Sequence, residues 1–253
     1  MKRMLVAMLI AAPGHSGAQA LLDFHNNFAF PAGAVEAVAE RTYRARLWSL
    51  AEDGRLDVDA KLLGRLRRLV AGLDAAVRFE HPGAAAIAWE IHTCRRCGEN
   101  AAAMAGGRLL IGEEFISEHA LSDDELAYLL AHEMAHVLAE HTREFASVAR
   151  YFVDHGRDRH YWDIQRELDE SLAVNLRMSA VYVQQELEAD YIGFILGARS
   201  GHEPEAMLRM LHKLHANVAT AFTMHPSKAE RMLRAQAMQP AAHRIREMGI
   251  PAR

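Results

Sequence analysis

From position 122 the chain reads Ser-Asp-Asp-Glu-Leu-Ala-Tyr-Leu-Leu-Ala-His-Glu-Met-Ala-His-Val-Leu-Ala-Glu-His, and within it His132-Glu133-Met134-Ala135-His136 constrains the fold more than any other stretch. At about 100° per residue, positions i and i+4 of a helix lie one turn apart on one face, so His132 and His136 can serve one metal ion if this stretch is helical. Glu133 stands beside the pair, where a carboxylate can take a proton from a water that the ion activates. The local sequence asks for a helix. Ser122 with Glu125 forms a capping box, Asp123 and Asp124 suit the positive helix end, and Leu126, Leu130, Val137 and Leu138 recur near helical spacing. A single helix is expected over 122–145. The competing reading is a chance pairing on a solvated face, which a chain with 15 histidines makes worth weighing, so the motif needs a second, independent feature.

The surroundings are those of a globular protein. At 253 residues the chain is long enough for a sizeable core in one domain. Its 29 Lys and Arg against 33 Asp and Glu give a net charge of -4 without a basic stripe, which argues against a nucleic-acid partner. Residues 1–20 read as a cleavable export signal. Lys2 and Arg3 are basic, positions 4–12 are apolar, and Ala18-Gln19-Ala20 has the small-x-small pattern of a signal-peptidase site. Pro13 and Gly14 end the apolar run well short of the ~20 residues a membrane span needs. The mature chain, 21–253, is therefore expected in the periplasm or secreted, without a transmembrane segment, with peripheral membrane contact and oligomeric state left open.

Two amphipathic helices are expected at 33–50 and 56–77, separated by Asp53-Gly54, so that 21–82 forms a helical N-terminal part. After His81-Pro82-Gly83 the period changes. Ile87 to His92 alternates as a strand does, and Arg108-Leu109-Leu110-Ile111 follows the turn signal Gly106-Gly107. The fold class is thus α+β and mainly helical, with a small sheet beside the histidine-bearing helix, a catalytic core over 83–240 and a short tail at 241–253. Cys94 and Cys97 are the only cysteines, and in an exported chain they read as a short-loop disulfide. Residues 154–160 read as an exposed loop, with a helix resuming near Asp163. A further helix over 185–197 carries Gly193 and Gly197 one turn apart, where another backbone can approach closely.

That last helix supplies the second feature. Catalytic zinc takes three protein ligands and keeps one position open. Glu186 and Asp190 are again i and i+4, so Glu186 is assigned as the third ligand and Asp190 as the carboxylate that orients His132. Glu188, about 160° around the helix from Asp190, is expected to be a surface charge. The extended metzincin pattern fails at Ala139 and Thr142, and a deformylase-like site using Cys94 or Cys97 ranks below, since an oxidising compartment consumes the thiol.

Four ordered blocks now agree with one family. Asn100-Ala101 followed by Gly106-Gly107, the stretch 122–141, the stretch 186–211, and His225-Pro226-Ser227-Lys228-Ala229-Glu230-Arg231 together resemble the HtpX, BepA and Oma-type zinc peptidases, related to the Ste-type CAAX prenyl protease. The resemblance implies a zincin-like gluzincin fold, one zinc held by His132, His136 and Glu186, Glu133 as base, and His225 near the open coordination position. The chain departs from such proteins in lacking both a set of membrane helices and a C-terminal tetratricopeptide array.

The function expected is zinc-dependent endoproteolysis of unfolded or misfolded proteins of the cell envelope. An extended substrate would pair with an edge strand within 100–111, for which Asn100, Ala101, Gly107 and Leu109 are the candidates. The alternative is a zinc-held chaperone or adaptor that binds unfolded chains without cutting them. Retention of Glu133 argues against it, because binding requires the ligands but not the base. His225 has two candidate jobs beside a purely structural one: donating a hydrogen bond to the forming oxyanion, or blocking the zinc at rest.

Overall fold

A computed structural model describes residues 28–98, 100–214 and 226–250. The expected export signal at 1–20 and His225 lie outside the described residues. The first two helices are α1 (Ala32–Glu52), slightly longer at both ends than expected, and α2 (Ala60–Glu80), which starts later than position 56 because Asp59 caps it and ends three residues beyond 77. Asp59 caps α2 by accepting from the amides of Lys61 and Leu62, and Leu66, Leu69, Val70, Leu73, Ala76 and Val77 form its buried face.

The sheet has three strands in the order β1-β3-β2: β1 (Glu90–Cys94), β2 (Ala101–Met104) and β3 (Arg108–Gly112). β1 runs parallel to β3, and β2 runs antiparallel to it across the turn at Gly106 and Gly107, both at positive φ of 84° and 85°. The hydroxyl of Tyr43 on α1 donates to the carbonyl of Leu109 at 2.9 Å, tying α1 to the middle of the sheet. Two substrate-strand assignments are corrected by this topology. Leu109 sits fully buried in the central strand, already paired on both sides, and Gly107 is part of the turn. The edge is Ala101–Met104, with Asn100 just before it. A disulfide joins Cys94 to Cys97 at the end of β1.

After the short α3 (Glu113–Glu118) comes the central helix, α4 (Asp123–Leu138), opened by the capping box of Ser122 and Glu125. It is buried nearly all round, from Leu126 to Ala131 and at Met134 and Ala135. The single helix expected over 122–145 is broken. Glu140 takes a left-handed conformation at φ 58°, and a new helix, α5 (His141–Ala149), sets off in another direction. Then follow the loop at 154–160, in which His155 and His160 are exposed, α6 (Tyr161–Glu170), α7 (Leu172–Arg177), α8 (Ser179–Arg199), α9 (Glu205–Leu214) and α10 (Lys228–Met248). The stretch read as a tail beyond 240 continues α10 through Pro240, with Ala242 buried and Ile245 packed on the core. Among the described residues no helix is long and apolar enough to cross a membrane.

The closest helix packing is α4 against α8. A Cβ built on Gly193 would lie 2.8 Å from the His132 amide nitrogen and 2.9 Å from its Cα, so glycine is what lets the two backbones meet. One turn on, Gly197 makes room for the Tyr128 ring rather than for backbone. Gly193→Ala should therefore destabilise the fold by about 1–3 kcal/mol in urea unfolding, because neither backbone can yield locally. An unchanged midpoint would show that the helices can separate freely.

Candidate metal centre

The close approach of α4 to α8 brings three potential ligand atoms together. Nε2 of His132 and Nε2 of His136 lie 3.2 Å apart, and the Glu186 carboxylate is 3.6 Å from the first through Oε2 and 3.4 Å from the second through Oε1, with one ligand atom from each residue within 4.8 Å of the others. Around a tetrahedral zinc with bonds of about 2.0–2.2 Å, neighbouring ligand atoms stand about 3.3–3.6 Å apart. The two imidazoles and the carboxylate fit that ion, and they form a group able to hold a metal among the described residues.

Each ligand helix contributes by its period. One turn of α4 separates His132 from His136, and one turn of α8 separates Glu186 from Asp190. Asp190 Oδ1 lies 3.0 Å from Nδ1 of His132, so the ring donates there and leaves Nε2 bare toward Glu186. The same carboxylate accepts from Arg231 of α10 at 2.7 Å through Nε and 2.6 Å through Nη2. Burial works against the Asp190 anion, but His132 and Arg231 outweigh it and hold its pKa below the usual range. Burial likewise opposes a charged His132, yet Asp190 and Glu186 raise its pKa, while Asp190 raises that of Arg231 against the same penalty.

Glu133 lines the cleft beside the ligands, and burial raises its pKa against the opposing pull of His132 and His136. A carboxyl shifted toward neutrality is matched to moving protons near pH 7. The cleft itself encloses about 740 Å³, walled by Asn100 and Ala101 to Ala103 on one side and by Tyr182, Met210 and Arg231 on others. A second hollow, about 1060 Å³, shares His136 and Thr142 with the first in its lining.

Two side chains here escaped the sequence reading. Arg231 stood within the last block of the family resemblance, and a buried Asp190 beside a histidine already asked for a countercharge. His141 had no such signal, because five positions along an unbroken helix would have pointed it 140° away from His136. The break at Glu140 instead places its Nδ1 2.8 Å from Nδ1 of His136. Burial lowers the pKa of His141 more than Glu188 raises it. Glu188 is accordingly corrected from a surface charge to a half-buried carboxylate 3.4 Å from His141 Nε2.

Residues 61–239 match the sequence family described as "Peptidase family M48". The chain is 30% identical to the mitochondrial metalloendopeptidase OMA1 of Saccharomyces cerevisiae over 51% of its own length and 37% of that protein's. The OMA1 proteins of Schizosaccharomyces pombe and Arabidopsis thaliana are 28% and 27% identical over 65% and 64% of this chain, and 51% and 34% of theirs. The chain thus spans between about a third and a half of the length of these curated relatives. No solved structure matches it significantly.

Arg231→Ala should destabilise the zinc-free protein by about 3–5 kcal/mol in urea unfolding, since it leaves the Asp190 carboxylate buried without its bidentate partner. Equal stability of the two zinc-free proteins would show that the pair is dispensable to the fold.

Proposed function

The chain belongs to peptidase family M48, as an Oma-type member with a zinc metalloendopeptidase domain, and from that premise we propose that it cleaves unfolded or misfolded proteins of the cell envelope. The observation that carries this reading is the position of the ligand cluster. His136 and Thr142 line both hollows, which supports room for chain on either side of the ligands, as an endopeptidase requires. The β2 edge lines the first hollow with Ala101, Ala102 and Ala103, and Ala105 and Gly106, which follow it, line the second. An extended substrate pairs with that edge through main-chain hydrogen bonds, which a folded protein cannot offer.

His132, His136 and Glu186 hold one zinc, which when bound supplies Lewis acidity that polarises a peptide carbonyl and makes water nucleophilic near neutral pH. Glu133 takes the proton of the attacking water and returns it to the leaving amine. Asp190 keeps the His132 hydrogen on Nδ1, and Arg231 holds Asp190 ionised against burial. His225 donates to the developing oxyanion. Export through the cleavable segment at 1–20 places the enzyme in the periplasm or outside the cell, a setting supported by the Cys94–Cys97 disulfide.

Three measurements test this. Glu133→Gln should retain zinc and lose about 10²–10⁴-fold in cleavage of an unfolded casein, whereas His136→Ala or a chelator should remove zinc and activity together. Full turnover in zinc-loaded Glu133→Gln would refute the base. His225→Ala should lose about 10²–10³-fold in turnover on a short peptide with zinc content unchanged, and a rise in basal cleavage would assign it the blocking role instead. Mature protein recovered after export should begin near Leu21 and show no free thiol before reduction, and an intact N-terminus with two free thiols would overturn the localisation.

A further inference from the structure

His141 is a buried polar side chain that the reaction above leaves unused. It is 3% exposed, and its ring stands edge-on to that of His136 with centroids 4.8 Å apart. Two Nδ1 atoms 2.8 Å apart share one hydrogen: two would clash, and none would leave lone pairs facing. The other face of His136 decides where that hydrogen belongs. Its Nε2 points at His132 Nε2 and at Glu186, and a ligand nitrogen must present a lone pair, so neutral His136 carries its hydrogen on Nδ1.

We propose that His141 is a positioning residue for the metal ligand His136: it accepts the Nδ1 hydrogen of His136, donates its own Nε2 hydrogen to Glu188, and so fixes the tautomer and tilt of the second zinc-binding imidazole. The inference rests on the zinc reading of the site and deepens it. It also gives the helix break a purpose. The left-handed Glu140 turns the chain so that the first residue of α5 faces back toward α4, and Gln185 clamps the new start by donating to the His141 carbonyl at 3.0 Å and to the Glu144 carboxylate at 2.8 Å. Gln185 immediately precedes Glu186, so the helix that supplies the third ligand also sets the residue that orients the second. The two histidines are thereby backed differently. His132 leans on an ion pair, Asp190 with Arg231, and His136 leans on a second imidazole that Glu188 holds.

The test compares zinc affinity, by competition with a chromophoric chelator, in the full mature chain, His141→Phe and His141→Asn, alongside the thermal midpoints of the zinc-free proteins. Phe keeps the ring volume and removes the acceptor; Asn places an acceptor oxygen where Nδ1 stood. Loss of a hydrogen-bonded support to a ligand weakens metal binding by about 10–100-fold, so His141→Phe should fall by that amount and His141→Asn should stay within about threefold of the parent, with similar zinc-free midpoints. Parent-like affinity in His141→Phe, or an equal loss in both variants, would overturn the assignment. If His141→Phe does not fold, Glu188→Ala carries the test with both rings in place: a drop of about 3–10-fold supports the relay, and unchanged affinity refutes it. A parent chain that binds no zinc would sink the metallopeptidase reading itself, an outcome separate from either of these.

Discussion

The structure depends on burying charge between α4 and α8. Asp190 stays ionised in the interior because His132 and Arg231 meet both of its oxygens, so one carboxylate ties together three helices: the one that carries the histidines, its own, and α10. Charges out of water are costly unless each is paired and hydrogen-bonded, and such a set tolerates little displacement. The glycine contact at Gly193 makes the same demand sterically, by bringing the α8 backbone against His132 itself. Packing and electrostatics therefore converge on one residue, His132. The fold brings His132, His136 and Glu186 together at separations close to those a tetrahedral ion needs.

The parts of this arrangement legible in the sequence are those written in local periodicity. The capping box at Ser122 and Glu125 marks where α4 starts, and the two i,i+4 pairs name four residues that the structure brings to one place, because a helix converts spacing into direction without outside help. The parts not legible depend on tertiary contacts. Nothing in Ala139-Glu140 announces a break, since neither residue is a glycine or proline, and the left-handed turn is held by Gln185, more than forty positions away. Glu188 looked solvent-facing on the α8 wheel, and the returning α5 brings His141 against it. Leu109 stands in a short apolar run that suits an edge or a central strand alike, and its place was decided by which strands flank it. The end of α10, beyond position 240, looked like a tail because its sequence is polar. The helix's buried side is narrow, made of Arg231, Ala235 and Ala242, and one of those three is the arginine that completes the site.

The edge strand imposes a different constraint on what the enzyme can recognise. Ala101, Ala102 and Ala103 present backbone N–H and C=O groups with methyl side chains, so the groove wall offers main-chain hydrogen bonds and little side-chain relief. Pairing of this kind is indifferent to sequence and strict about conformation, because the substrate must be extended with its own backbone groups unsatisfied. Any folded domain has already committed those groups to its own helices and sheets. On the proposed function, discrimination between proteins would come from which segments are unfolded long enough to enter, rather than from what those segments spell. Selection of that kind would need rigidity at the catalytic groups more than elaborate pockets. The paired burial of His132, Asp190 and Arg231, with His141 against His136 on the other side, places that rigidity at the ligand cluster.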